Sequence, residues 1–372
     1  MKQALTVGAA LLLTTSMAHA VGLDRSAQNI GVIFQDGNYA ELSFGRVMPS
    51  VSGTDNVTPF GGRDTGNVAE DYSILGLGYK SNINDQLSFA LIVDEPYGAD
   101  VAYPTGQSTA LGGTTATLDS VAFTGMLRYK MNDNVSFHGG VRAQSIEGKV
   151  TLSGLAYGAN SPPTGINGYS VTLDRDTGYG YAVGAAYEIP DIALRVALTY
   201  FSEIDHEFGT TDNLGSTTDT KVTTPQAVNL DFQTGIAADT LLFGSIRWAE
   251  YSVVKVTPQN FGVATSGASL TNIEDGFGYT LGVGRRFSDA WSGSFSVGYE
   301  PEGEDLVSPL APTNGNYSVG LGAQYTMDNV ILSGGVRYIG LGDASAQTSN
   351  TARAAFTDNS AVAVGFKVAY TY

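Results

Sequence analysis

The stretch Trp291-Ser292-Gly293-Ser294-Phe295-Ser296-Val297-Gly298-Tyr299 puts Trp291, Phe295, Val297 and Tyr299 on one face and only Ser and Gly on the other. Period two marks a strand with two different surroundings. The same pattern recurs in Phe277-Tyr279-Leu281-Val283 against Gly278-Thr280-Gly282-Gly284, and in Tyr317, Val319, Leu321, Ala323 and Tyr325 against Ser318, Gly320, Gly322 and Gln324. The last segment sets Val362, Val364, Phe366, Val368, Tyr370 and Tyr372 against small residues and Lys367. Soluble sandwiches alternate too, but with strands of about 5–6 residues and an aliphatic buried face. These runs are longer and carry aromatics near both ends, as bilayer-spanning strands require.

The connections sort by length. Asn84-Asp85, Asn132-Asp133, Pro190-Asp191, Ala238-Asp239, Ser288-Asp289 and Asp328-Asn329 are tight polar turns, built from residues that tolerate or preset turn dihedrals. Between them lie seven longer connections, near 53–71, 96–117, 153–169, 209–223, 258–275, 302–312 and 343–357. Strict alternation of short and long predicts an all-β, antiparallel transmembrane β-barrel of about 14 strands, with short turns periplasmic and long loops outside. Closure removes the sheet edges that lipid cannot solvate.

Composition agrees. The 372 residues carry a net charge of −17, only 15% charged side chains, 47 Gly, 20 Tyr and no Cys. Such acidity excludes a phosphate-tracking surface for nucleic acid. Absence of Cys removes disulfides, thiolate metal sites and Cys nucleophiles. Met1-Lys2, the apolar run Ala4–Leu13 and the motif Ala18-His19-Ala20 read as a cleaved export signal over residues 1–20. The run is too short to span a membrane as a helix. Residues 21–38 do not alternate and read either as a periplasmic tail or as a short plug in the lumen; residues 39–372 form the barrel.

Residues 223–252 then carry a resemblance. Thr224-Pro225-Gln226-Ala227-Val228-Asn229-Leu230-Asp231-Phe232, a turn, and a strand ending Arg247-Trp248-Ala249-Glu250-Tyr251-Ser252 resemble the strand–turn–strand signature of the FadL/TodX outer-membrane transporters. Pro96-Tyr97-Gly98 is similar to that family's segment at the end of the third strand, as is Val51-Ser52-Gly53 after the first. The segment 21–38 departs from the family, being shorter than its N-terminal hatch and lacking Pro. The resemblance implies passive uptake of long-chain fatty acids or related hydrophobic compounds, which bind in the barrel and leave sideways near an irregular third strand. An aromatic or alkane hydrocarbon channel and a hydrophilic diffusion porin are the alternatives. It also implies a monomer among outer-membrane lipid and lipopolysaccharide, with no cofactor and no metal.

The residues offer their own reasons to look at those places. Pro96, Tyr97 and Gly98 follow strand three; Pro cannot donate to a ladder and Gly invites a bulge, so the strand either turns into a loop or leaves a gap in the wall. A carboxylate ligand favours Arg in a low-dielectric pocket. Strand phase places Arg128, Arg142, Arg195, Arg247, Arg286, Arg337 and Lys367 inside, where pairing with Glu41, Asp94, Asp231 or Glu300 is the plainer use for each. Leu111, Leu155, Tyr157, Phe261, Val263, Leu306, Leu310 and Phe356 are loop residues that either form an outer capture groove or pack the loops on one another. No catalysis is expected: Asp205 and His206 are strand neighbours on opposite faces, and His is otherwise scarce.

Overall fold

The computed structural model describes residues 23–160, 162 and 164–372, so the export signal lies outside the described residues. Fourteen antiparallel strands close into one barrel. In chain order they are β1 (Tyr39–Ser50), β2 (Tyr72–Asn82), β3 (Leu87–Asp94, resuming as Gly98–Ala102), β4 (Thr115–Lys130) and β5 (Val135–Thr151). Next come β6 (Ser170–Ile189), β7 (Leu194–Phe201, continued by Ile204–Phe208 and Thr210–Asp212) and β8 (Thr220–Thr224 and Ala227–Ala237, either side of Pro225). The circuit is completed by β9 (Thr240–Ala249), β10 (Gly276–Arg286), β11 (Trp291–Glu300), β12 (Asn316–Met327), β13 (Val330–Leu341) and β14 (Asn359–Thr371). β1 pairs with β14 from Tyr39↔Thr371 to Ser50↔Ser360, which closes the ring. Among the described residues, no helix is long and apolar enough to cross a membrane. The strands do the crossing.

The two faces are as the period-two pattern demands. On β11, Phe295, Val297 and Tyr299 are 49%, 41% and 57% exposed, whereas Ser292 and Ser296 are 6% and 4%. Outward rows on neighbouring strands, such as Leu281–Val283 with Tyr279 and Val319–Leu321 with Tyr317, continue an apolar belt. In water this would be an aggregating patch; in a bilayer it is the solvent-facing surface. A Leu281→Arg barrel should therefore lose about 2–4 kcal/mol of stability in vesicles, measured by urea unfolding, because a cation is then held in hydrocarbon.

The six short connections fall where the turn residues stand, and Asn84 and Asn132 cap theirs by accepting backbone N–H bonds from Leu87 and Val135 at 2.8 Å. The long connections are not slack. Residues Ala344–Thr348 and Thr351–Phe356 form a hairpin, to which Gly53–Asp55 and Leu306–Val307 add. Segment Gln259–Thr265 is a short helix, and Thr210–Asp212 rejoins β6. The expected loop at 343–357 is thus largely sheet, and that at 209–223 is sheet at both ends, over Thr210–Asp212 and from Thr220.

The hydrophobic core is not inside a sheet sandwich. One continuous cluster joins Ile30, Ile33 and Phe34 of the N-terminal segment, the upper inner wall (Ile146, Val171, Leu173) and the loops above it (Leu111, Tyr157, Phe261, Phe356). Loop packing is held by Tyr103, which stacks edge-on to Phe356 at 6.3 Å and donates to the Pro309 carbonyl at 2.8 Å. Burial raises the Tyr103 hydroxyl well above its ordinary pKa, so it stays a donor.

Candidate functional site

The wall is interrupted at strand three. The β2–β3 ladder stops at Leu77↔Val93. On the other side β3 pairs with β4 up to Asp94↔Ala122 and resumes at Gly98↔Asp119. Glu95, Pro96 and Tyr97 thus face only Ser120 and Val121, a bulge of one residue. Pro96 supplies no N–H, and the Tyr97 N–H turns to the Ser120 hydroxyl at 2.8 Å. The edge left by β2 is taken by the N-terminal segment: Arg25 N donates to the Pro96 carbonyl at 2.9 Å, and Gly98 N to the Leu23 carbonyl at 3.0 Å. At Pro96–Gly98 the pairing with β2 is absent, while pairing with β4 resumes at Gly98.

A polar cleft of about 470 Å³ occupies the break, lined by Arg25, Tyr72, Ser73, Glu95, Asp100 and Asp119 among others. It sits where the outward rows change from Leu75 and Phe123 to Ser73 and Asp119, at the upper margin of the apolar belt. Arg25 lies over the Tyr72 ring at 4.4 Å and pairs with Asp100, tying the segment to the cleft.

Behind it is an apolar cavity of about 110 Å³. Leu23, Tyr97, Ile146, Leu173, Phe208, Val222, Pro225, Tyr251, Val254 and Leu310 are among its lining residues. Tyr97 and Ala99 line the cavity while Glu95 and Asp100 line the cleft, so the segment 95–100 borders both. The Tyr97 hydroxyl accepts from Gln28 Nε2 at 3.1 Å and its ring meets Tyr251 edge-on at 6.2 Å.

The N-terminal segment is pinned in the lumen by one buried ion pair. Arg247 donates through Nε and Nη2 to both oxygens of Asp24 at 2.6 and 2.9 Å, the two side chains being 2% and 0% exposed. The remaining nitrogen reaches Asn229 Oδ1 at 2.9 Å and Gln28 Oε1 at 3.2 Å, while Asn229 Nδ2 donates to the Ala27 carbonyl. The strand–turn–strand signature at 223–252 therefore holds residues 24–28 in place. Below, Phe34 lies between Arg128 and Arg195, each guanidinium 4.7 Å from its ring.

The inward cations divide into two groups. Arg128 pairs with Glu188, Lys367 with Glu41 at 3.1 Å and Arg286 with Asp239 at the periplasmic turn, and Arg195 donates to Gln233 at 3.0 Å. With Arg247, these five each have a partner within the protein. Arg142 and Arg337 differ. Both are buried, and Arg142 Nε and Nη2 and all three Arg337 nitrogens have no partner among the described residues. Arg142 shares the inward row of β5 with Gln144 and the cavity-lining Ile146, and lies over Phe201 at 5.8 Å.

Among the capture-groove candidates, Leu111, Tyr157, Phe261 and Phe356 are buried in loop packing. Leu306 is half-buried, Leu310 lines the cavity, and only Leu155 and Val263 are largely exposed. Sequence reading missed two features. His206 turns inward to bond Asp176 Oδ2 at 2.9 Å and Gln144 Oε1 at 3.3 Å. The middle of β7 leaves the β6 ladder there and packs over Gly178 and Gly180, where an added Cβ would collide with Ile204. The only local hint is the pair of glycines.

Solved structures with this architecture include a Pseudomonas aeruginosa FadL homologue (17% identity, covering 100% of this chain and 98% of that one, TM-score 0.74). The Pseudomonas putida toluene transporter TodX (12%, 92% of each chain, TM-score 0.67) and the CymD monoaromatic hydrocarbon channel (12%, 97% of each, TM-score 0.60) are also similar. No curated protein matches the sequence. The family model described as outer membrane protein transport protein (OMPP1/FadL/TodX) matches residues 33–372, and the chain belongs to that family of outer-membrane transporters for hydrophobic compounds.

Proposed function

We propose that this barrel takes up long-chain fatty acids across the outer membrane, passively and as a monomer whose acidic loops stand among lipopolysaccharide. The observation that carries this reading is an almost wholly apolar cavity with the unpartnered guanidinium of Arg142 on the same β5 row, two positions below Gln144. An alkyl chain in the cavity gains burial of roughly 0.8 kcal/mol per CH₂. A carboxylate directed downward would supply Arg142 with the acceptor that the protein withholds. Tyr97 then separates the loaded cavity from the polar cleft, so the broken ladder at Pro96–Gly98 serves as a sideways exit. Residues 21–38 act as the hatch that closes the direct path to the periplasm. That segment also argues against an open hydrophilic porin, because Ile30, Ile33 and Phe34 are packed into the lumen.

A monoaromatic or alkane hydrocarbon is the second reading. A dry cavity of roughly 150 Å³ suffices for benzene in an engineered protein core, and the cavity here is of that order at about 110 Å³. Arg142→Gln decides between them. The variant should bind dodecanoate about tenfold more weakly, as befits loss of one charge-assisted contact, with 1-dodecanol and toluene unaffected. Equal dodecanoate affinity in both proteins would remove the fatty-acid reading and leave the hydrocarbon one.

A further inference from the structure

Arg337 stands on the opposite wall from the cavity, at mid-height of β13, paired in register with Gly320 of β12 and Ala363 of β14. Its outward neighbours Val336 and Tyr338 are 45% and 49% exposed to the bilayer side, while Arg337 itself is 2% exposed. It is among the largest fully buried side chains of the protein. None of its three nitrogens has a partner, and no carboxylate among the described residues lies within ion-pairing reach. A guanidinium offers five donors in a planar fork. Leaving such a group both desolvated and unpaired is strongly unfavourable, so the guanidinium calls for a partner beyond the described residues, water or a bound anion.

The guanidinium rests against the backbone of β11 and β12 at two glycines: a Cβ added at Gly320 would come 3.5 Å from Nε, and one at Gly298 3.9 Å from Nη1. The same two positions lie 2.8 Å from the Ser296 hydroxyl and 2.5 Å from the Ser318 hydroxyl. Both serines are buried on the inward face. The guanidinium and the two buried hydroxyls thus approach the same two glycine positions on the inner wall, and all three are donors of the kind that bind an oxyanion.

We infer that Arg337, with Ser296 and Ser318, forms an oxyanion site on the β11–β13 wall, distinct from the apolar cavity and from Arg142. Its ligand is a carboxylate or phosphate group, carried either as the head of an amphiphile crossing the lumen or as a free inorganic anion. The site stands whether or not fatty acids are the cargo, since nothing in it touches the cavity.

Equilibrium dialysis of the full barrel in a non-ionic detergent tests this with two probes, labelled inorganic phosphate and labelled dodecanoate. Phosphate binding should weaken about tenfold in Arg337→Gln, be partly kept in Arg337→Lys, which preserves the charge but loses the fork, and be unchanged in Arg46→Gln, whose exposed side chain pairs with Asp71. If dodecanoate also weakens in Arg337→Gln, the occupant includes an amphiphile head; if phosphate alone weakens, it is a free anion. The barrel's resistance to heat should fall little, because no hydrogen bond or ion pair to the protein is lost. Wild-type binding of both probes by Arg337→Gln overturns the inference, as does loss of binding together with heat resistance. Should that variant fail to assemble, Ser318→Leu takes its place by covering the same cradle, and unchanged phosphate binding there overturns it equally. A loss of dodecanoate confined to Arg142→Gln bears on the cavity reading alone.

Discussion

An Asp24→Ala barrel is expected to release its N-terminal segment and to conduct ions that the wild-type barrel excludes. Asp24 and Arg247 are almost wholly buried and bonded through both carboxylate oxygens. Removing one partner of such a pair costs about 3–5 kcal/mol, because the other charge is left desolvated. The barrel wall cannot relax to absorb that cost, since its strands are laddered on both sides. The segment can shift more readily, although it is also held by the backbone bridge at Leu23–Arg25, by Asn229 to Ala27, by the Arg25–Asp100 ion pair, by Ser26 to Asp94 and Gln28 to Tyr97, and by apolar contacts of Ile30 to Phe34. Protease cleavage within 23–38 and single-channel current in planar bilayers should both rise. A doubly apolar Asp24→Leu, Arg247→Met barrel should recover closure, as replacing a buried pair by packed apolar groups is commonly neutral or better. Unchanged current and an uncut segment in Asp24→Ala would show that this pair is not the anchor.

Ser73→Trp should abolish most transport while leaving ligand binding intact. Ser73 lines the cleft where the β2–β3 ladder is missing, and the cleft of about 470 Å³ is large enough to take an indole. An aromatic side chain at the upper edge of the belt is well tolerated in barrels. Uptake of labelled oleate by cells should fall by about tenfold or more, the factor that corresponds to roughly 1.4 kcal/mol on the exit step. Dodecanoate affinity of the purified protein should stay within about twofold, since the cavity lies behind Tyr97. Ser81→Trp, on the same strand but away from the break, serves as the control. Wild-type uptake by Ser73→Trp would exclude the sideways route and direct attention to a path past the N-terminal segment.

The parts of this protein legible in its sequence are those set by neighbours in the chain. Alternation on β10 to β14 follows from backbone geometry, in which successive side chains take opposite faces. The bilayer on one side and the lumen on the other turn that geometry into Tyr299 against Gly298, or Val319 against Gly320. Turn chemistry at Asn84, Asn132 and Asp239 is equally local. The β-bulge at Pro96–Gly98 was visible as a Pro–Tyr–Gly triplet because proline and glycine limit a ladder wherever they stand.

The site itself was only half visible. Strand phase placed seven cations inward, yet phase says nothing about which of them meets an acid. Arg247 finds Asp24 across 223 residues and Lys367 finds Glu41 across 326. Such pairings depend on which strands become neighbours in the closed barrel and on how deep the N-terminal segment reaches. The loop residues illustrate the same limit, since hydrophobic Leu111 and Phe356 read alike as a groove or as packing until a hairpin from residues 344–356 is laid beside residues 53–55.

The opening stretch at 291–299, with its repeats and the alternation of short and long connections, by itself determined a transmembrane barrel of fourteen strands, and residues 223–252 carried the likeness to its family. Only the tertiary structure decided that Asp24 and Ile30 to Phe34 pack against inward residues of the barrel, that the N-terminal backbone bonds to the broken edge of β3, and that Arg142 and Arg337 carry buried nitrogens with no hydrogen-bond partner among the described residues. The reason is physical. A strand's two faces are written in consecutive side chains, whereas ion pairing, burial and cavity shape are properties of groups that meet only after the ring has closed.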